Sequence, residues 1–142
     1  MQNLPVLRAG ELTGFVHNSA AYELNVVQQP NDGRALSSPK RNARGAVKWP
    51  LDPPCVVELF LRDGDQSRSY LHSPYWFCTS EIEAVNNEAL ESDTLSGALT
   101  SSLHKVKMHD SRDHGFFVFG DLYVKYPGVF RLKFTVFEMR QG

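Results

Sequence analysis

Phe130, Leu132, Phe134 and Val136 alternate with Arg131, Lys133 and Thr135. A period of two puts the four apolar side chains on one face of an extended chain and the polar ones on the other, a division that a helix cannot make. A strand of this kind has to lay its apolar face on a second layer. The remaining sequence offers one. Tyr22, Leu24 and Val26 alternate with Glu23, Asn25 and Val27, and residues 55–61 put Cys55, Val57, Leu59 and Leu61 on one side. Asp63-Gly64 follows as a favoured hairpin pair. Tyr75-Trp76-Phe77-Cys78 reads as a short aromatic strand, residues 97–106 as another, and Gly115-Phe116-Phe117-Val118-Phe119 as a further one. Tyr126-Pro127-Gly128 is the turn before the last strand. Residues 81–93 hold Glu81, Glu83, Glu88, Glu91 and Asp93 with no basic residue, and read as an exposed loop or short helix. Residues 1–20 have no clear period and read as a lead-in to a domain over 21–142. Short strands punctuated by turns, with no long amphipathic helix and no internal repeat, predict an all-β sandwich.

The size agrees. A chain of 142 residues is one domain's worth and can bury roughly two-thirds of its unfolded surface. Fifteen basic against sixteen acidic residues give a formal charge of -1, so any nucleic-acid role must come from a local patch. Two cysteines, Cys55 and Cys78, are too few for a four-thiol zinc site or a disulfide scaffold, and reduced thiols are the expectation. No apolar run approaches the roughly 20 residues of a membrane span, and the N-terminus has no continuous apolar signal core. A soluble, intracellular, single-domain protein with no membrane partner is expected.

Catalytic signatures are missing. There is no glycine-rich phosphate loop, dinucleotide fingerprint or Gly-x-Ser-x-Gly elbow, so neither an enzyme nor a cofactor is expected. His104, His109 and His114 are five residues apart. On a strand that spacing places neighbours on opposite sides, and metal binding at the polar segment 108–115 is the lesser reading. Cys78, in an aromatic strand, reads as a small core residue rather than a nucleophile.

Charge distribution says more than net charge. Between Gly33 and Lys48 lie Arg34, Lys40, Arg41, Arg44 and Lys48 with no acid among them. Five cations on a Pro/Gly/Ser-rich connection between two strands make a cationic arm. A generic loop of this kind is simply solvated. The functional alternative is contact with DNA phosphates, with arginine able to reach guanine edges. Trp49 either stacks on a base or packs against the sandwich. The acidic segment 81–93 offsets the arm in the total.

Several ordered blocks resemble the velvet domain of fungal regulators. Gln28-Gln29-Pro30, Gly33-Arg34-Ala35 and Pro50-Leu51-Asp52-Pro53-Pro54 resemble its opening. Tyr75-Trp76-Phe77-Cys78-Thr79-Ser80 resembles its aromatic-Cys strand, and Leu99-Thr100-Ser101-Ser102-Leu103-His104-Lys105-Val106-Lys107 its Ser-Leu-His-Lys-Leu segment. The stretches 115–124 and 128–138 resemble its most distinctive part, and the likeness covers about Tyr22 to Glu138 in order. It implies an immunoglobulin-like β-sandwich related to the DNA-binding domain of the Rel/NF-κB factors. It also implies a nuclear regulator, able to shuttle with the cytoplasm, of development, sporulation and secondary metabolism. Such a regulator binds double-stranded DNA and pairs as a homodimer or with another velvet protein.

The family's DNA contact lies in the basic loop after the first strand, which corresponds to the arm. Arg34 matches the Arg of an Ala-Arg-Ala motif, and Lys48 stands where an Arg-Arg pair precedes the Pro, with Trp49 as its second member. The Cys-Gly-Phe-Gly run expected after Ala35 is absent, so Lys40, Arg41 and Arg44 rest on charge and location alone. The departures leave a second reading, a protein-interaction module that pairs with a velvet protein and binds DNA weakly or not at all by itself. Family domains also continue past the Phe-Glu strand, so this sandwich is expected to lack its final segments, with a partner or truncation accounting for the gap. Candidate dimer surfaces are Phe116 to Phe119 or the residues after Phe137, although core is the preferred place for alternating phenylalanines.

Overall fold

A computed structural model describes residues 22–30, 50–61 and 68–139, and the backbone of Val6–Thr13. In chain order the strands are β1 (Val6–Thr13), β2 (Tyr22–Gln28), β3 (Cys55–Leu61), β4 (Trp76–Ala84), β5 (Leu95–Gly97), β6 (Thr100–Ser102), β7 (His104–Lys107), β8 (Asp113–Phe119), β9 (Leu122–Val124) and β10 (Phe130–Glu138). Among the described residues the only helix is a four-residue 3₁₀ turn, Ser69–His72. One sheet runs β1-β10-β4-β6, a second β2-β3-β8-β7, and β5 and β9 form a two-stranded ribbon.

The alternation dictates how the sheets meet. Phe130, Leu132, Phe134 and Val136 of β10 all point inward, as do Trp76 and Cys78 of β4. They share one core with Cys55, Val57 and Leu59 of β3 and Phe117 and Phe119 of β8. The Phe119 and Phe134 rings meet 5.3 Å apart across the two layers, and Tyr22 of β2 meets Trp76 edge-on at 4.9 Å. Each such aromatic contributes about 1.5–3 kcal/mol through burial. Aromatic contact across the layers makes this the predicted all-β sandwich.

Several local expectations change. β4 does not end at Cys78 but continues to Ala84, because Glu81 and Glu83 are outward-facing residues of a nine-residue ladder with β10, opposite Lys133 and Arg131. The reading of 81–84 as loop or helix is therefore corrected, while residues 85–94 do form turns and loop. Residues 97–106 are not one strand. β5, β6 and β7 lie in three different sheets, and the chain crosses from the first sheet to the second at Leu103. Asp63-Gly64 lies outside the described residues, and the strands on either side of it, β3 and β4, sit in different sheets. Residues 113–115 belong to β8 rather than to a surface loop, leaving a turn at 108–112 closed by the Met108 N–H on the Arg112 carbonyl at 3.0 Å. The segment read as a lead-in contains β1, which runs parallel to β10. β10 thus has a neighbour on both sides and presents no open edge.

The sheet-to-sheet crossover is tied down chemically. The buried Ser101 hydroxyl of β6 accepts the Val118 N–H of β8 at 3.1 Å and donates to the Ser102 carbonyl at 2.8 Å. Phe117 and Phe119 are core, whereas Phe116 and Val118 lie on the outer face of the second sheet. Phe137 stacks on Phe77 at 5.0 Å on the outer face of the first.

Gly97 closes the β5–β9 ribbon. Its φ is +102°, and a Cβ there would lie 1.9 Å from the Asp121 carbonyl oxygen, which accepts the Ala98 N–H at 2.7 Å. Both backbone angle and space exclude a side chain. Gly97→Ala is expected to cost about 3 kcal/mol in urea unfolding. An unchanged midpoint would show that the ribbon is not held in this way.

Candidate nucleic-acid interface

Arg34, Lys40, Arg41, Arg44 and Lys48, together with Trp49, all fall in residues 31–49, outside the described residues. The frame from which that segment starts and to which it returns is described. β2 and β3 are antiparallel neighbours, so Gln28 and Cys55 stand at one rim of the second sheet, where β8 ends at Phe119. The Gln28 Nε2 donates to the Pro54 carbonyl at 2.7 Å, tying the two roots together. Pro30 is buried, and Leu51, also buried, donates its N–H to the Leu122 carbonyl at 2.8 Å. The Asp52–Pro53 bond is cis. Five cations therefore belong to a connection whose two ends are fixed side by side on one rim.

A second basic element emerges only in the fold. All four residues of β7, His104, Lys105, Val106 and Lys107, are exposed on the edge of the second sheet. Lys105 Nζ donates to His72 Nδ1 at 3.2 Å, and Lys107 stands 4.0 Å from Asp113. Sequence reasoning reads a strand over 97–106 but does not single out its charge, which is signalled by Lys105 and Lys107 with no acid between Leu99 and Met108. Edge lysines also discourage pairing with other strands. Lys107 pairs with Asp113, at the end of β8 away from the rim where the connection between β2 and β3 is rooted.

The three histidines do not converge. His104 lies opposite Phe116 in the β7–β8 ladder, and His109 is exposed in the turn. His114 is taken up by carboxylates: Nδ1 lies 2.7 Å from Glu58 Oε2, and Nε2 lies 3.0 Å from Asp110 Oδ2. Arg68 Nη1 donates to the Asp113 carbonyl at 3.0 Å and stands 3.3 Å from Nδ1. Among the described residues no three His, Cys, Asp or Glu are arranged to hold a metal ion. Glu58 is buried on the outer face of β3, 56 residues from its partner, so no local sequence signal could have found the pair.

Glu58 first, then Asp110, hold the His114 imidazolium above the ordinary histidine range against the opposing effect of desolvation. Asp110 is held below the usual carboxylate range by the Arg112 N–H and by His114. Cys55 is pushed up to about 12 by burial, and the Cys78 thiol is raised for the same reason, so neither is a ready nucleophile at neutral pH. A raised histidine stabilises the fold fully below its unfolded value of about 6.5, and that contribution fades as pH climbs through the folded value. His114→Gln is expected to lower stability by about 1.5–3 kcal/mol at pH 5.5, with the gap narrowing toward pH 9. Denaturant titrations over that range measure it, and a gap independent of pH would show that His114 is not charged in the fold.

The family model described as Velvet factor matches residues 78–142. Over 128 residues the chain is 42% identical to the spore development regulator RYP2 of Ajellomyces capsulatus, covering 87% of this chain and 30% of that protein. It is 38% identical over 124 residues to the spore development regulator VOSA of Pyricularia oryzae, covering 85% and 24%. It is 29% identical over 126 residues to the developmental and secondary metabolism regulator VEL1 of Cochliobolus heterostrophus, covering 82% and 21%. The chain thus spans about a third or less of the length of each of these relatives. The matches run through β4, β8 and β10, the strands that build the core, and the chain belongs to the velvet factor family.

Proposed function

We propose that the chain is the velvet domain of a regulator of fungal development, sporulation and secondary metabolism. It binds double-stranded DNA through the 33–48 arm, acts as a homodimer or with another velvet protein, and works in the nucleus with shuttling to the cytoplasm. Regulatory names among the relatives support the role: spore development for one, development and secondary metabolism for another. The observation that carries the DNA assignment is the run of five cations without an acid, on a connection rooted at a single rim of the sandwich. Cations concentrated in one connection follow a phosphate backbone without requiring a basic protein as a whole. Arg34 carries base contact where a guanine edge is in reach, and the lysines position the duplex.

Anisotropy titrations against duplex DNA over a range of salt test the arm. Log affinity is expected to fall with log salt by about 0.9 per phosphate neutralised, with a slope reporting about three to five contacts. Substituting Arg34, Lys40, Arg41, Arg44 and Lys48 by Gln is expected to remove most of that slope and leave thermal unfolding unchanged. An unaltered slope would overturn the arm's role. A second reading draws on Trp49 standing where the family has Arg, and on the missing Cys-Gly-Phe-Gly run. In it the domain mainly pairs with another velvet protein. A relative from Chaetomium globosum, 35% identical over 126 residues, is named for membership of a velvet complex, which supports pairing of this kind. Heterodimers in light scattering, with no DNA binding by the folded chain at low salt, would favour it.

A further inference from the structure

A trough runs along the β4 flank of the sandwich. One part, of about 390 Å³, has a floor of Ile82, Leu90, Leu95 and Leu99. It adjoins a hollow of about 270 Å³ bounded by Tyr126 and Val129, and the two share Glu88, Leu90 and Glu91. Leu99, Tyr126 and Val129 are each more than a third exposed. Apolar side chains gathered along one concave surface, rather than scattered singly, are the pattern of a docking groove.

The rim has one sign. Glu81 and Glu83 rise from β4, and Glu88 and Glu91 from the loop between β4 and β5. Glu83 is engaged by Arg131 at 3.3 Å, and Glu81 faces Lys133 across the ladder. Glu88 and Glu91 have no cationic partner among the described residues, whereas Glu58, Asp93, Asp110 and Asp113 each have one. No basic residue occurs from 81 to 93. A negative rim repels nucleic acid and acidic peptides, while an aliphatic floor gives a purely polar cation nothing to bury.

We propose that this trough docks a lysine- or arginine-rich peptide segment of a partner protein, with an aliphatic or aromatic side chain on the Ile82–Leu90–Leu95–Leu99 floor and flanking cations on Glu88 and Glu91. The complementarity is of both kinds at once, apolar below and charged at the rim. The proposal does not depend on the arm's role.

A labelled peptide of sequence Ala-Lys-Arg-Leu-Lys-Arg-Ala, titrated into the full chain at low and moderate salt, tests it. Replacing the peptide's Leu by Ser is expected to weaken binding about tenfold. Glu88→Gln/Glu91→Gln, two exposed positions in the loop between β4 and β5, is expected to weaken it by about tenfold as well. Duplex DNA binding by that double variant should stay at the unsubstituted level, which separates the trough from the arm. Equal affinity for the Leu and Ser peptides would mean unspecific charge attraction and overturn the proposal, as would full affinity in the double variant or no binding at low salt. Peptide binding only after the five arm cations are substituted by Gln would identify the chain's own arm as the occupant, and would overturn assignment to a partner.

Discussion

The antiparallel ladder between β10 and β4 is the constraint on which the other contacts depend. It runs without interruption from Phe130 opposite Ala84 to Glu138 opposite Trp76. A slip of one residue would turn Phe134 and Val136 to solvent and drive Arg131 and Lys133 into the core, so the register has no close competitor. With that register fixed, Trp76 meets Tyr22 and Phe134 meets Phe119, and the second sheet is positioned by aromatic contact. β1 covers the other side of β10, which keeps the most apolar strand away from an edge where it would invite association.

The strands β2, β3, β8 and β10 are legible in the sequence, β10 from its unbroken alternation and the others from short alternating or apolar runs. The failures have physical causes. β1 pairs with β10 through two register shifts, between Val6 and Arg8 and between Ala9 and Leu12, and such irregularities erase the alternation that sequence reading relies on. Glu81 and Glu83 suggest a loop because their charge is visible and their cross-strand partners, about fifty residues on, are not. The 97–106 stretch reads as one strand because nothing local announces that Leu103 carries the chain from one sheet to the other. At the candidate site, the arm is marked by its charge run alone, and its five cations lie outside the described residues. The Glu58–His114 pair is the reverse case, evident in space and silent in sequence.

A net charge near zero conceals a divided surface. Basic residues collect in the connection between β2 and β3 and along β7, while carboxylates collect over the β4–β5 loop. The rigid part of the molecule is apolar and supplies position, since the buried thiols of Cys55 and Cys78 serve packing rather than chemistry. On the proposed reading, selectivity for a polyanion or for a cationic segment comes from which charged element is presented.

Hydrogen exchange followed by mass spectrometry, on the chain alone and with duplex DNA, tests for a fixed sandwich bearing a DNA-reading arm. Amides of β4, β8 and β10 should exchange only through global unfolding in both states, and protection gained on adding DNA should concentrate in residues 33–48. Rapid exchange through β10, or DNA protection that spares the arm, would contradict it.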